Sequence, residues 1–355
     1  MVTIFNGVNG KNTLSECYLG NDIPLYQSQI CEILTHIRKP GDLRTPPKIA
    51  IISPTAYSRN NTAESISREI SVMVRTIDFS KKNIGRGDLN TLFEEDAVYI
   101  CQECQYLFER RPHGFDLLRS FLSQLVTNSR QVITTWNQYS WNFLSGFLHI
   151  ERWFPIVIPL PFLSLSDLQE YLLTGESEQI RFTIDIELDN TLELVRKDVD
   201  VDIESLNLTF SIPYLTIRRR YASYVPLLAD KKILPEELIF REIFRLSLGE
   251  PGIGYQIFQN AKNENEIRFS LLPKSLTVPE LSAIDNFILT LILMYENPVY
   301  SRLNQSIHDK AVLNSSLYRL SSAGLLMRDE DTWKITAEGF APVVSYLTQR
   351  RMIWE

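Results

Sequence analysis

The spacing of hydrophobic and polar positions changes several times along the chain, and each change predicts an element. Leu25, Ile30, Ile33, Leu34 and Ile37 recur at helical spacing within Tyr18–Leu43, which ends in the breaker Lys39-Pro40-Gly41-Asp42. The unbroken apolar run Ile49–Ile52 predicts a strand buried on both faces. Helical text follows from Thr62 to about Val74, then a strand at Ala97–Ile100 and an amphipathic helix over Phe115–Val126. Arg130–Asn137 is again strand-like, Gln138–Leu148 helical, and Phe154–Pro161 a strand broken by prolines. Short apolar strands alternating with helices predict a parallel sheet covered on both faces.

The period then drops to two. Phe182, Ile184, Ile186 and Leu188 alternate with Asp185, Glu187 and Asp189, and Val199, Val201 and Ile203 alternate with Asp200, Asp202 and Glu204. This predicts an antiparallel hairpin or small sheet with one wet, acidic face. Helical text resumes over Leu234–Ala261, interrupted at Gly249–Gly252. The last 80 or so residues predict three helices and then a hairpin through Asp329–Asp331, the order of a winged helix.

Composition narrows the class. A chain of 355 residues with 44% hydrophobic and 22% charged residues predicts a globular protein of two or three domains. Phe154–Leu163 and Phe287–Tyr295 are the longest apolar runs, short of the roughly 18–20 residues that span a bilayer. The first residues lack a basic region followed by an apolar core, so the expected location is the cytoplasm. The net charge of −7 is uneven: Glu176–Glu204 holds ten acidic and three basic residues, itself −7, leaving the remainder near neutral. That excludes the broad basic footprint of a dedicated nucleic-acid binder. The four cysteines, Cys17, Cys31, Cys101 and Cys104, make no disulfide framework. Cys101 and Cys104 sit in strand-like text, where residues three apart face opposite ways, so no metal pair is expected. His36, His113, His149 and His308 are scattered without metal-ligand spacing, and no acidic loop has EF-hand spacing.

The stretch Lys48–Ile70 joins strand-like to helix-like text, where a phosphate-binding loop belongs, yet it contains no glycine. The pattern G-x-x-x-x-G-K-[ST] fits by spacing on Ser53–Asn60: Ser53 and Ser58 fall on the glycines, Arg59 on the lysine and Asn60 on the hydroxyl that binds magnesium. Asn6–Leu14 also looks loop-like, but Phe5 stands where the first glycine belongs, and its Asn-Gly pairs are turn signals in themselves.

With these parts in this order, the chain resembles an AAA+/STAND-type P-loop ATPase with a helical lid and a C-terminal winged helix. The resemblance implies an α/β P-loop NTPase-like sheet over 1–173, an acidic β-rich insertion over 174–233, a helical lid over 234–272 and a winged helix over 273–355. It places the second acidic motif on Gln102 and Glu103, the sensor on Asn137, and an arginine finger for a neighbouring subunit on Arg152. Gln102 lacks the charge that holds a magnesium shell, whereas Glu103 retains the ability to polarise a water. The lid text Leu246–Gly254 keeps its Gly-Pro-Gly turn without the sensor arginine.

Each position also has a plainer role. Arg59 and Asn60 read as solvated turn and helix-start residues, Glu103 as a polar strand end, Asn137 as a helix cap, and Arg152 as a surface ion-pair partner. In the last domain Lys310, Asn314 and Arg319 are the nucleic-acid candidates. Pro273–Glu355 carries eight basic against nine acidic residues, however, and its hairpin tip is acidic, which favours protein contact. The expectation is therefore a non-hydrolysing AAA+/STAND-like subunit without a cofactor, assembled with copies of itself or with an active ATPase relative. The alternatives are a weak ATP-binding or ATP-hydrolysing switch, with Ser53, Ser58, Arg59 and Asn60 as its degenerate phosphate loop and Arg59, Asn60, Glu103 and Asn137 kept as ligands for ATP or ADP with magnesium, and a DNA-associated accessory protein using Lys310, Asn314 and Arg319.

Overall fold

The computed structural model describes residues 25–38, 46–81, 85–174, 176, 179–185, 192–203, 208–219, 234–274 and 276–354. The loop-like Asn6–Leu14, Cys17, and the acidic residues Glu178, Glu187, Asp189 and Glu204 lie outside them.

Strands β1 (Lys48–Ser53), β2 (Val74–Asp78), β3 (Val98–Gln102), β4 (Val132–Asn137) and β5 (Ile156–Pro159) form one sheet in the order β2-β3-β4-β1-β5. All its pairings are parallel. Alternation along β1 supplies both faces. Ile49 and Ile51 pack with Ile133 and Ile158 under helices α1 (Gln27–Arg38) and α2 (Ala56–Glu69). Ala50 and Ile52 pack with Tyr99 and Trp136 under α4 (Asp116–Thr127) and α5 (Gln138–Leu148). A short α3 (Arg86–Asn90) precedes β3. The helices after β1 and β4 thus cover opposite faces, which opens a crevice between the carboxyl ends of these neighbouring strands.

Two local expectations need correction. Helix α2 begins at Ala56, six residues before Thr62, so only Pro54 and Thr55 separate it from β1. Strand β2 begins where the helical reading ends, at Val74, in text given no element, because an edge strand with one buried residue in five has little apolar signal.

Helix α6 (Leu165–Thr174) packs with α7 (Pro235–Ser247) and α8 (Pro251–Ala261) in a second core. Strand β6 (Arg181–Thr183) joins β9 (Lys262–Asn263) and β10 (Glu266–Arg268) in the order β6-β10-β9. The alternating text around Phe182 therefore pairs with β10 rather than with the later acidic strand. That strand, β7 (Leu192–Ile203), forms an antiparallel hairpin with β8 (Leu208–Arg219), and its register sets Glu193 opposite Arg218.

The C-terminal unit consists of α9 (Ala283–Tyr295), α10 (Tyr300–Ile307), α11 (Lys310–Ser322), the hairpin β11 (Leu326–Asp329) and β12 (Thr332–Ile335), and α12 (Ala337–Gln349). The pattern reading did not anticipate α12. Ile288, Leu289 and Ile292 of α9 belong to the same core as Phe121 and Trp136, so this unit and the sheet share one interior.

Candidate functional site

The crevice at the ends of β1 and β4 is closed by the protein's own side chains. Asn137, the last residue of β4, accepts at Oδ1 from the N–H groups of Tyr139 (2.9 Å) and Ser140 (3.2 Å), capping α5. Its Nδ2 donates to the carbonyls of Pro54 (2.9 Å) and Leu293 (3.0 Å), tying the β1–α2 turn to the last turn of α9. Ser140 Oγ donates to Met294 O at 2.7 Å, and Tyr106 Oη to Glu296 O at 2.9 Å. The terminal carbonyls of α9, which no helical N–H can reach, are thus satisfied by the sheet's rim.

Arg59 lies on the first turn of α2 and is completely buried. This corrects its reading as a solvated residue. Its Nη1 donates to Ser53 O at 2.7 Å. Nη2 donates to Glu103 Oε2 and to Glu296 Oε2, each at 2.8 Å, and Nε reaches Glu103 Oε1 at 3.3 Å. Burial alone would lower the guanidinium pKa, but Glu103 and Glu296 outweigh it and hold the charge more firmly than usual. Glu103 stands just past β3 with φ 57°, and its N–H donates to Thr135 Oγ1 at 3.0 Å. It is buried against Arg59 and Gln105 rather than placed as a free strand-end polar group. Glu296, immediately after α9, also has positive φ, 54°, as does Asn297. Non-glycine residues in this region are uncommon and concentrate where a site constrains the chain.

Glu296 Oε1 accepts the N–H of Ala56, the first residue of α2, at 2.6 Å. A helix N-terminus attracts anions, and here the Glu296 carboxylate is the anion it holds. A third carboxylate closes the other side. Glu250 caps α8 through Ile253 N–H at 2.7 Å, accepts from Ser58 Oγ at 2.9 Å, and also accepts from Thr55 Oγ1. Burial pushes its pKa up, and the bonds from Thr55, Ile253 and Ser58 pull it back. The glycines of the lid text now have separate reasons. Gly249 adopts φ +80°, and a Cβ on Gly252 would stand 2.6 Å from Tyr57 Cβ, where α8 crosses the first turn of α2. Gly252→Val is expected to cost about 1–3 kcal/mol by overpacking, read from urea unfolding.

The arrangement does not fit a magnesium nucleotide. The β1–α2 connection has no room for a glycine cradle, the first helical amide is taken, and Arg59, the buried cation at this crevice, is engaged by Glu103 and Glu296. The carboxylates of Glu103, Glu250 and Glu296 would repel a polyphosphate in a poorly solvated place. Among the described residues no group of three or more His, Cys, Asp or Glu side chains is placed to hold a metal.

The remaining candidates are dispersed. Ser53 is buried beside Arg59, and Asn60 points to solvent. Arg152 is exposed in a short 3-10 turn and makes no ion pair with a described residue. β3 ends at Gln102, so Cys101 lies on a strand and Cys104 on the following turn; both are buried thiols. Lys310 and Asn314 are exposed on α11, whereas Arg319 is committed to Asp285 at 2.8 Å. Pattern reading missed Glu250 and Glu296. The first was signalled by its place before Pro251 at a helix start. The second had only the Asn-Pro turn behind it.

No family model and no curated protein matches this sequence. Among solved structures the chain is similar to the Holliday junction branch migration motor RuvB of Thermotoga maritima, at 15% identity and a TM-score of 0.41, over 89% of this chain and 94% of that one. It is also similar to a Walker-type ATPase of Pyrococcus abyssi, at 14% identity and a TM-score of 0.38, over 92% of this chain and 96% of that one. At these levels no residue's role passes from either protein to this one.

Proposed function

We propose that this chain is a catalytically degenerate AAA+/STAND-like subunit that works as a protein-interaction or assembly component. The observation that carries this is the Arg59–Glu103–Glu296 cluster. A guanidinium and a carboxylate from the C-terminal unit take the place that phosphates and their cation need. Phosphoryl transfer depends on positioning and on positive charge around the transferred group. A site whose only buried cation is matched by two acids offers neither.

In this proposal, residues 273–355 form a winged helix fastened to the sheet, and the acidic hairpin and the exposed helices are its docking surfaces. Lys310 and Asn314 are too few, and Arg319 too occupied, to favour nucleic acid over protein. Exposed aromatic surface supports protein contact: Phe147 stacks on Phe143, which stacks on Trp354, and Phe147 and Trp354 keep 58% and 51% of their surface in solvent. Arg152, unpaired among the described residues, is free to serve a neighbour, either a second copy or an active ATPase relative. The test is sedimentation of the full chain with and without ATP or ADP and magnesium. The same mass in every condition is expected, and a nucleotide-driven change in assembly would favour the ATP-switch alternative instead.

A further inference from the structure

Glu296 enters the site from the C-terminal unit, and among the described residues three parts of the sheet domain face it. From α2 come Arg59 and the N–H of Ala56, and from the turn after β3 comes Glu103. Tyr106 donates to the Glu296 carbonyl, with Asp78 at the end of β2 acting on the same phenol. Arg302 of α10 lies nearby, but it is spent on the carbonyls of Tyr106 (2.7 Å) and Phe108 (2.6 Å) and on Glu109 (3.3 Å). Glu250 lies beyond Thr55 and Ser58. One guanidinium therefore faces two carboxylates in direct contact, Glu103 buried and Glu296 with 21% of its side chain in solvent, so the three groups together carry a net negative charge. Two carboxylates sharing one buried cation leave one negative charge unmatched, which favours the protonated form of the more weakly held acid.

We propose that Glu296 is a proton-linked latch: packing of the C-terminal unit onto the sheet takes up one proton at Glu296, so acidification tightens the contact and alkalinisation loosens it. This goes beyond the assembly role. Burial pushes the Glu296 carboxyl up from 4.5 to about 7, with Arg59 opposing the rise and Glu103 reinforcing it. A carboxyl raised in the folded state favours folding fully below its ordinary range, and that advantage is lost as pH rises toward 7.

The experiment is urea unfolding of the full chain between pH 5 and pH 8, comparing wild type with Glu296→Gln, which keeps the shape but cannot ionise. The ratio of unfolding constants, wild type over variant, is expected to rise on the order of 100-fold across that range. A ratio constant within about threefold, or one that falls, would overturn the latch. Should Glu296→Gln fail to fold, Glu103→Gln leaves Arg59 a single carboxylate and serves the same purpose. Its ratio is expected to rise in the same direction, and a pH dependence equal to wild type's would equally overturn the proposal.

Discussion

Arg59→Ala is expected to cost about 3–5 kcal/mol of stability, the largest loss of any single substitution in the site. The guanidinium is fully enclosed, and its removal strands Glu103 and Glu296 beside each other with Ser53 O unpaired. The cost is that of leaving a buried and a half-buried carboxylate uncompensated, not the net worth of the ion pairs. Replacing a whole buried ionic group with neutral side chains of similar shape is often harmless. The combination Arg59→Met, Glu103→Gln and Glu296→Gln is therefore expected to recover most of the loss. Urea unfolding of the three proteins decides it. A loss below about 1 kcal/mol for Arg59→Ala would mean that the cluster behaves like a solvated surface pair.

Asn137→Ala is expected to cost about 2–4 kcal/mol, from a lost helix cap and two buried carbonyls left without a donor. The side chain's four bonds join α5, the β1–α2 turn and α9, so the damage should not stay local. Asn137→Asp separates the contributions. It keeps the acceptor that caps α5 but turns the amide donor into a second acceptor facing Pro54 O and Leu293 O. A loss at least as large as alanine's is expected. A nearly neutral Asn137→Asp would show that capping is all this residue does. Hydrogen exchange of the last turn of α9 provides the matching local readout.

Much of the sheet was legible because its strands are short and apolar on both faces, and because helices of 3.6 period separate them. Edge strand β2 was not, having too little buried surface to mark the pattern. Helix α2 is more instructive. Its buried positions are Ser58, Arg59, Thr62, Ala63 and Ile66, a regular helical stripe written mostly in polar residues. A search for apolar periodicity starts such a helix too late and leaves Arg59 in solvent. The missing glycines were visible and pointed to a loop without phosphate chemistry. The partner that Arg59 finds in Glu296 was not visible, because Glu296 lies 237 positions from Arg59 and only the packing of α9 against the sheet brings them together. Asn137 was legible in one of its two roles: a cap follows from its place before a helix, whereas its grip on α9 is tertiary.

The central claim is that the protein's own carboxylates and Arg59 fill the place of a nucleotide. Calorimetric titration of the full chain with ATP and with ADP, each with and without magnesium, tests it most directly. The account predicts no saturable heat at millimolar nucleotide. Saturable binding that is lost in Arg59→Ala variants still folded by circular dichroism would contradict it, and would make Arg59 a phosphate ligand that releases Glu296 to receive one.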